Sequence, residues 1–263
     1  MARSNVIGKC ALCLKWRKLC KSHYLGRTLH DLSRDSRGHP VVMTPKLITA
    51  TPRQMWAHLL CRSCERLLND QGEKPVHGLF NGKTSFPLLD RMNVAMALKT
   101  EPTVVTYSGF AMGIDAEALA YYALSILWKG SVHNWTTLKG QKSSVNLGVH
   151  QERIRQYLIG DAGFPEGVYV IVTACTDIGS QGMVFAPNLM AHTMYPMHSI
   201  LVRGIWFHIA LTDKPSPELD GLCCVRSGRR VLHKADCTEP FLQAGRHIHQ
   251  TAVVSPGLQR RKT

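Results

Sequence analysis

An apolar stretch in the middle of the chain predicts a buried helix. Residues 115–128 are apolar around nearly the whole helical circumference, with Asp115 suited to the N-cap and Gly130 to the stop. A second helix is predicted over residues 150–159, where apolar and charged residues alternate at helical spacing before Gly160. Two helices therefore open the second half of the chain.

Short runs rich in β-branched and aromatic residues follow these helices and predict strands. They cover residues 168–175, 182–186, 200–211, 222–225 and 230–233. The last two predict a small hairpin around Ser227-Gly228. Because the helices come first and the strands after, this half predicts an α+β domain with two helices and an antiparallel sheet.

The first half of the chain predicts a helix around residues 61–68 and a hairpin before it. Leucines flank the cysteine pair in this stretch on the side that a helical turn returns to the core, and Gly72 is the expected C-cap. Residues 41–43 and 47–48 predict two short paired strands. This basic hairpin is suited to lie on a phosphate backbone, or else it is an ordinary solvated loop.

Proline and glycine residues between positions 75 and 87 predict a break between two parts of the chain. We expect a zinc module over residues 1–77 and a connector over 78–110. An α+β domain of unknown role is expected over 111–245, and a basic tail over 246–263.

Two cysteine pairs carry the clearest chemical signal. Cys10 and Cys13 are separated by two residues, as are Cys61 and Cys64. Two such pairs supply the four thiolates of a closed tetrahedral zinc site, and a helix N-terminus favours the ionised thiol. The spacing therefore predicts structural zinc, and the alternatives are buried thiols or redox dithiols.

The remaining cysteines lack this spacing, and Cys20 is expected to be a spare buried thiol. Cys223, Cys224 and Cys237 are expected to be structural, with a second metal site as the less favoured alternative. We expect reduced thiols and a cytoplasmic protein, since the polar start does not resemble a signal peptide and no apolar run reaches membrane-spanning length. Oligomeric state and protein partners stay open.

The charge of the chain indicates a polyanionic partner. Its 32 Lys and Arg residues outnumber 18 Asp and Glu residues, giving a net charge of +14. Bound zinc with four thiolates would lower this by only two charges. Nucleic acid is the first candidate partner and an anionic membrane surface the second.

The order of motifs resembles an HNH-type zinc module. Cys10-x-x-Cys13 is followed by Ser22-His23 and then by Leu60-Cys61-x-x-Cys64-Glu65. This order is similar to the ββα-metal, treble-clef arrangement of many nucleases. It is also similar to uncharacterised bacterial HNH-endonuclease-like proteins. The likeness covers residues 9–74.

The resemblance implies that His23 is a general base that activates water against a phosphodiester. It also implies that Glu65 binds a catalytic magnesium or manganese ion. The family usually has an acidic residue or histidine where Ser22 stands. Either Glu73 or His58 then substitutes as a metal ligand, or the module no longer cuts.

Three functions follow as expectations. The first is an HNH-like, metal-dependent endonuclease, for which the resemblance suggests bacterial defence. The second is a non-catalytic, zinc-stabilised nucleic-acid-binding protein with a degenerate HNH site. The third is a structural or partner-binding protein that uses its second domain.

Overall fold

The computed structural model of this chain describes residues 6–26, 29, 41–44, 47–50, 55–80, 82, 84–136, 142–190, 194–239, 242–243 and 253–255. For residues 41–44, 47–50, 136, 142–143 and 253–255, only the backbone is described. The predicted basic tail therefore lies outside the described residues, apart from its strand at Val253–Ser255.

The described chain is α+β, as the sequence predicts. The strands are β1 (Ile7–Lys9), β2 (Trp16–His23), β3 (Val41–Thr44), β4 (Leu47–Ala50), β5 (Trp56–Cys61), β6 (Lys99–Thr100), β7 (Val104–Ser108), β8 (Trp135–Thr136), β9 (Lys142–Ser143), β10 (Val168–Cys175), β11 (Val184–Leu189), β12 (Met197–Val202), β13 (Ile205–Leu211), β14 (Val231–Ala235) and β15 (Val253–Ser255). The helices are α1 (Arg62–Leu68), α2 (Lys74–His77), α3 (Pro87–Val94), α4 (Ala116–Val132), α5 (His150–Ile159), α6 (Ile178–Gln181) and α7 (Pro217–Leu222). A π-helical turn, Asn69–Glu73, joins α1 to α2.

The strands form one large sheet and two small ones. A three-stranded sheet has the order β1-β2-β5, and β8 pairs with β9. The ten-stranded sheet has the order β15-β4-β3-β11-β12-β13-β10-β14-β7-β6. The predicted hairpin of β3 and β4 is confirmed as an antiparallel pair, and it lies in the large sheet.

The prediction of a single antiparallel sheet is wrong, because the large sheet is mixed. Three neighbouring pairs run parallel, namely β10 with β14, β11 with β3, and β15 with β4. All three pairs join segments that are distant in the chain. Alternation of apolar residues marks the buried face of a strand but does not encode which neighbour it meets, or in which direction.

The predicted number of helices in residues 111–245, which is two, is also wrong. Both predicted helices are present as α4 and α5, but α6 and α7 accompany them. Each of these is too short to show helical periodicity, and each begins at a side-chain N-cap, Asp177 for α6 and Ser216 for α7. The predicted strand at residues 222–225 is instead the end of α7 and a turn.

Helix α4 forms the centre of the core. Asp115 caps it as predicted, accepting a hydrogen bond from the Ala118 N–H at 2.9 Å. The predicted stop at Gly130 is wrong, since the helix continues to Val132. A Cβ on Gly130 would lie 2.5 Å from the Tyr24 hydroxyl, so glycine permits close packing here rather than ending the helix.

One continuous core extends from the cysteine pairs through α4 to the large sheet. It contains Leu12 and Leu60 near the cysteines, Leu124 in α4 and Val170 in β10. Gly72 is not the predicted C-cap. It lies inside the π-helical turn, where a Cβ would approach the Tyr122 Cα to 3.3 Å.

The predicted domain boundary at residue 77 stays a prediction. The π-helical turn and α2, which end at or before this residue, pack against α4, which follows it. Among the described residues, no helix is both long and apolar enough to span a membrane.

Candidate metal centre and adjoining polar cluster

The first cysteine pair lies in a tight turn between β1 and β2. The Cys10 N–H donates to the Lys15 carbonyl at 2.9 Å, and the Leu14 N–H donates back to the Cys10 carbonyl at 2.9 Å. Leu14 has a φ of 59°, the left-handed conformation that closes such a turn. The Ala11 N–H then donates to Leu59 at 3.1 Å, which fixes the turn against β5.

The second pair lies where β5 passes into α1. Cys61 is the N-cap of α1, and Cys64 lies in its first turn. A helix can project residues i and i+3 to the same side, so both sulfurs reach the same space. The helix N-terminus also presents free N–H groups to them.

The four sulfurs of Cys10, Cys13, Cys61 and Cys64, which we call the four-cysteine centre, all lie within 4.8 Å of one another. The Cys13 and Cys61 sulfurs are 3.9 Å apart. In a tetrahedral site with Zn–S bonds of about 2.3 Å, neighbouring sulfurs lie roughly 3.8 Å apart. The residues present therefore fit a zinc ion, as predicted.

Hydrogen bonds within the centre favour ionisation of two of its thiols. The Cys64 thiol hydrogen-bonds the Cys10 sulfur and lowers the pKa of Cys10 to about 4. At Cys61, burial opposes ionisation, but hydrogen bonds from Ser63 and from the Cys64 backbone outweigh it and lower the pKa. A metal cation would complete the ionisation of the other two thiols. Cys20 is not part of this group, as predicted, and burial raises its pKa.

His23 ends β2, and Ser22 precedes it in the strand, so the side chains of these two residues point to opposite faces of the sheet. The fully buried Ser22 hydroxyl accepts a hydrogen bond from the Leu60 N–H at 3.0 Å. It also hydrogen-bonds Glu65 in α1. Ser22 therefore connects the strand that carries His23 to the helix that carries Glu65.

Glu65 is a half-buried carboxylate. Burial raises its pKa, while the hydrogen bond from Ser22 and the positive charge of Lys129 act in the opposite direction. Its Oε1 atom is buried without a hydrogen-bond partner among the described residues. A buried carboxylate oxygen of this kind is a candidate ligand or proton-transfer group.

A buried lysine from the apolar helix α4 enters the same region. Lys129 is 4% exposed, and its Nζ donates to the His23 carbonyl at 3.1 Å. The same Nζ lies 3.9 Å from the Glu73 Oε1. A Cβ on Gly26 would lie 2.7 Å from the Glu73 carboxylate. The backbone just after His23 therefore packs directly against Glu73.

We call Ser22, His23, Glu65, Glu73 and Lys129 the polar cluster. Lys129 is a member that the sequence did not predict, because the predicted helix ends one residue before it at Trp128. The sequence does hold one signal for it, a single lysine directly after a nearly apolar run. Because burial of a lone ammonium is costly, such a lysine indicates that polar partners come from elsewhere in the fold.

The predicted ligands of a catalytic cation are not brought together as a set of three. Among the described residues, only two groups place three or more Cys, His, Asp or Glu ligand atoms within 4.8 Å of one another. Neither group contains His23, Glu65, Glu73 or His58. The His58 ring instead contacts Trp56 edge-on, with ring centroids 5.5 Å apart. The catalytic roles of His23 and Glu65 stay predictions.

The three-stranded sheet carries a basic and aromatic strip. Trp16 is 74% exposed and Trp56 is 46% exposed, and the Lys21 ammonium lies 4.3 Å from the Trp56 ring centroid. We define the basic–aromatic surface by its exposed residues, which are Lys9, Trp16, Arg17, Lys18, Lys21 and Trp56. No acidic residue precedes Asp31 in the sequence, so no carboxylate from this segment neutralises the strip.

No protein-family model, curated protein sequence or solved structure matches this chain. We therefore base its function on the residues and geometry described above.

Proposed function

We propose that this protein is an HNH-like nuclease whose N-terminal zinc module binds nucleic acid and cleaves a phosphodiester beside His23. The observation that carries this proposal is the polar cluster. Buried ionisable side chains that converge on one point are typical of catalytic sites. Here the buried Lys129 hydrogen-bonds the main chain of the predicted general base and lies 3.9 Å from the Glu73 carboxylate. Glu65 hydrogen-bonds Ser22, the residue before that base.

The knuckle, strand and helix that hold the four-cysteine centre support the treble-clef assignment. In this role the zinc is structural, because four thiolates close its coordination shell. A zinc ion held by the four cysteines would join β1, β2, β5 and α1 and thereby help to position Ser22, His23 and Glu65. Zinc supplies folding energy here and takes no part in the reaction.

His23 would act on a water molecule at the phosphate. Its imidazole accepts a proton from water as the water oxygen forms a bond to phosphorus. The bond from phosphorus to the leaving ester oxygen breaks, and that oxygen takes a proton from solvent. Lys129 is a positioning residue, since its hydrogen bond holds the main chain at His23.

The described side chains do not complete a ligand set for a catalytic magnesium or manganese ion, so we assign no step to one. Glu65 is the residue best suited to bind such a cation, because its buried Oε1 has no hydrogen bond from the described chain.

Nicking of supercoiled plasmid tests the proposal. We expect the zinc-loaded wild type to nick with magnesium or manganese, and His23→Ala to be slower by about 10²- to 10⁴-fold, the usual contribution of a general base. His77→Ala is the matched control, since it removes another histidine of the same module from the end of α2. Nicking that is absent in the wild type, or unchanged in His23→Ala, would rule out this mechanism.

The basic–aromatic surface favours a second candidate, a zinc-stabilised protein that binds nucleic acid without cutting it. Exposed aromatic rings among lysines and arginines are suited to a single strand, because bases stack on the rings while cations contact the phosphates. This candidate needs neither His23 nor a catalytic cation.

Binding of labelled single-stranded DNA and RNA separates the two candidates. We expect Trp56→Ala to weaken binding about 5- to 150-fold, corresponding to about 1–3 kcal/mol for one stacked base. Phe110→Ala removes a ring outside this surface that is more exposed than Trp56, at 66% against 46%, and it should bind like wild type. Tight binding without nicking supports the second candidate, and absence of binding contradicts both.

A further inference from the structure

The second group of potential ligands lies in the large sheet, away from the zinc module. Strands β10 and β14 are parallel neighbours, and Cys175 at the end of β10 pairs with Ala235 at the end of β14. Cys237 follows Ala235 by two residues, and Asp177 follows Cys175 by two. Adjacent parallel strands therefore deliver all three side chains to the same edge, the edge at which α/β sheets commonly bind ligands.

The ligand atoms of Cys175, Asp177 and Cys237, which we call the Cys175 cluster, all lie within 4.8 Å of one another. We propose that this cluster is a second zinc site, with two thiolates and one carboxylate as ligands. This inference does not depend on the proposed nuclease activity.

The carboxylate of Asp177 is held in place and keeps capacity for a cation. Its Oδ1 accepts a hydrogen bond from the Ser180 N–H at 2.8 Å. Its Oδ2 accepts from the Ser180 hydroxyl at 2.9 Å and from the Cys237 N–H at 3.2 Å. A carboxylate has about four acceptor positions, so one position on Oδ1 remains available. Such outer hydrogen bonds are what orient a metal ligand.

The chemistry of the three donors selects zinc over magnesium or calcium. Two sulfurs favour a thiophilic cation, while hard cations prefer oxygen ligands alone. Cys175 and Cys237 are 0% and 4% exposed and pack with Phe185, Leu201 and Trp206, so water is excluded on that side. Asp177 is half-buried. Three protein ligands leave the fourth tetrahedral position for a water molecule on the Asp177 side.

Two other buried cysteines differ from the Cys175 cluster in their grouping and not in their hydrogen bonding, because the Cys237 thiol likewise donates to a backbone carbonyl, that of Ala235 at 3.7 Å. Cys223 and Cys224 are also fully buried. The Cys223 sulfur accepts a hydrogen bond from the Val170 N–H at 3.4 Å, and the Cys224 thiol donates to the Ala116 carbonyl at 3.6 Å. Neither belongs to a three-ligand group among the described residues. They are matched controls for removal of a buried thiol.

Zinc content after exhaustive dialysis tests the proposal. We expect about two zinc ions per chain in the wild type and in Cys223→Ala, and about one in Cys237→Ala. In cobalt-substituted protein, the thiolate-to-cobalt absorption should fall by about a third in Cys237→Ala, because four of six thiolate bonds remain. A wild type with one zinc, or a Cys237→Ala protein with two, overturns the proposal.

Asp177→Asn provides a test if Cys237→Ala fails to fold. Asparagine is also a good N-cap, so α6 should persist, but the loss of the charged ligand should weaken binding of the second zinc at least tenfold. Unchanged zinc affinity in this variant overturns the proposal. So does a Cys175–Cys237 disulfide, detected by mass spectrometry in protein purified without reductant.

Discussion

The four-cysteine centre and the Cys175 cluster use similar ligands, but the chain assembles them in different ways. In the first, each half of the ligand set comes from a local C-x-x-C turn or helix start. In the second, the ligands follow two parallel strands that are distant in sequence and adjacent in the sheet. A local motif can be found in the sequence, whereas a site made by strand order becomes visible only after folding.

The two regions also differ in what stabilises them. The four-cysteine centre holds a three-stranded sheet and a short helix, a small unit for which metal binding supplies much of the folding energy. The Cys175 cluster lies on the ten-stranded sheet, where Cys175 and Cys237 pack in a separate apolar group with Phe185, Leu201 and Trp206. Removal of a ligand should therefore unfold the first region and leave the second folded.

Substitution of a zinc ligand should have the largest effect. We expect Cys61→Ser to lose the zinc of the four-cysteine centre and to unfold the N-terminal module, because structural zinc contributes about 10–16 kcal/mol of apparent binding energy. Zinc content and hydrogen exchange of residues 6–26 measure this. Cys20→Ser, a half-buried thiol outside the centre, is the control and should retain both zinc and protection. Unchanged zinc content and melting in Cys61→Ser would contradict the zinc assignment.

A cavity in the shared core should have the next largest effect, and it should reach both regions. Leu124 in α4 is 0% exposed, and Leu124→Ala is expected to lower the free energy of unfolding by about 2–5 kcal/mol. Urea denaturation followed in both regions measures it. Leu189→Ala, at a leucine that is 59% exposed, should change stability by about 0.5 kcal/mol or less. Destabilisation of the sheet alone would show that the module does not share the core.

Mild acid should weaken the large sheet through buried histidines. Burial lowers the pKa of His198 from 6.5 to about 4, and His198 is 4% exposed. The unfolded chain therefore binds a proton first, so stability present above pH 6.5 is lost as the pH falls towards 4. At pH 5 this costs about 2 kcal/mol relative to pH 7.

His198→Gln should reduce that acid sensitivity by the same amount, which urea denaturation at pH 7 and pH 5 measures. Leu189→Ala, which removes an exposed and non-ionisable side chain, is the control and should keep the wild-type pH dependence. A pH dependence in His198→Gln that equals that of the wild type would show that other groups, such as the metal-bound thiolates, dominate the acid response.

Particular residues show how far sequence reasoning extends in this protein. The spacing of Cys10, Cys13, Cys61 and Cys64 predicted which sulfurs meet, and Asp115 was correctly identified as the cap of the central helix. The sequence did not reveal that Lys129 enters the polar cluster, because its partners come from other elements. Cys237 was predicted to be a structural thiol, with a second metal site only as the less favoured alternative, because its neighbour Cys175 is distant in the chain.

The sequence by itself determined the features that depend on neighbouring residues: the class of secondary structure, both long helices, the β3–β4 hairpin and the four-cysteine centre. Turn geometry and helical spacing act over a few residues, so local patterns encode them. Only the tertiary structure decided the strand order, the parallel pairs, the polar cluster and the Cys175 cluster. These features arise when apolar faces from distant segments pack together, and many strand orders are compatible with the same local pattern.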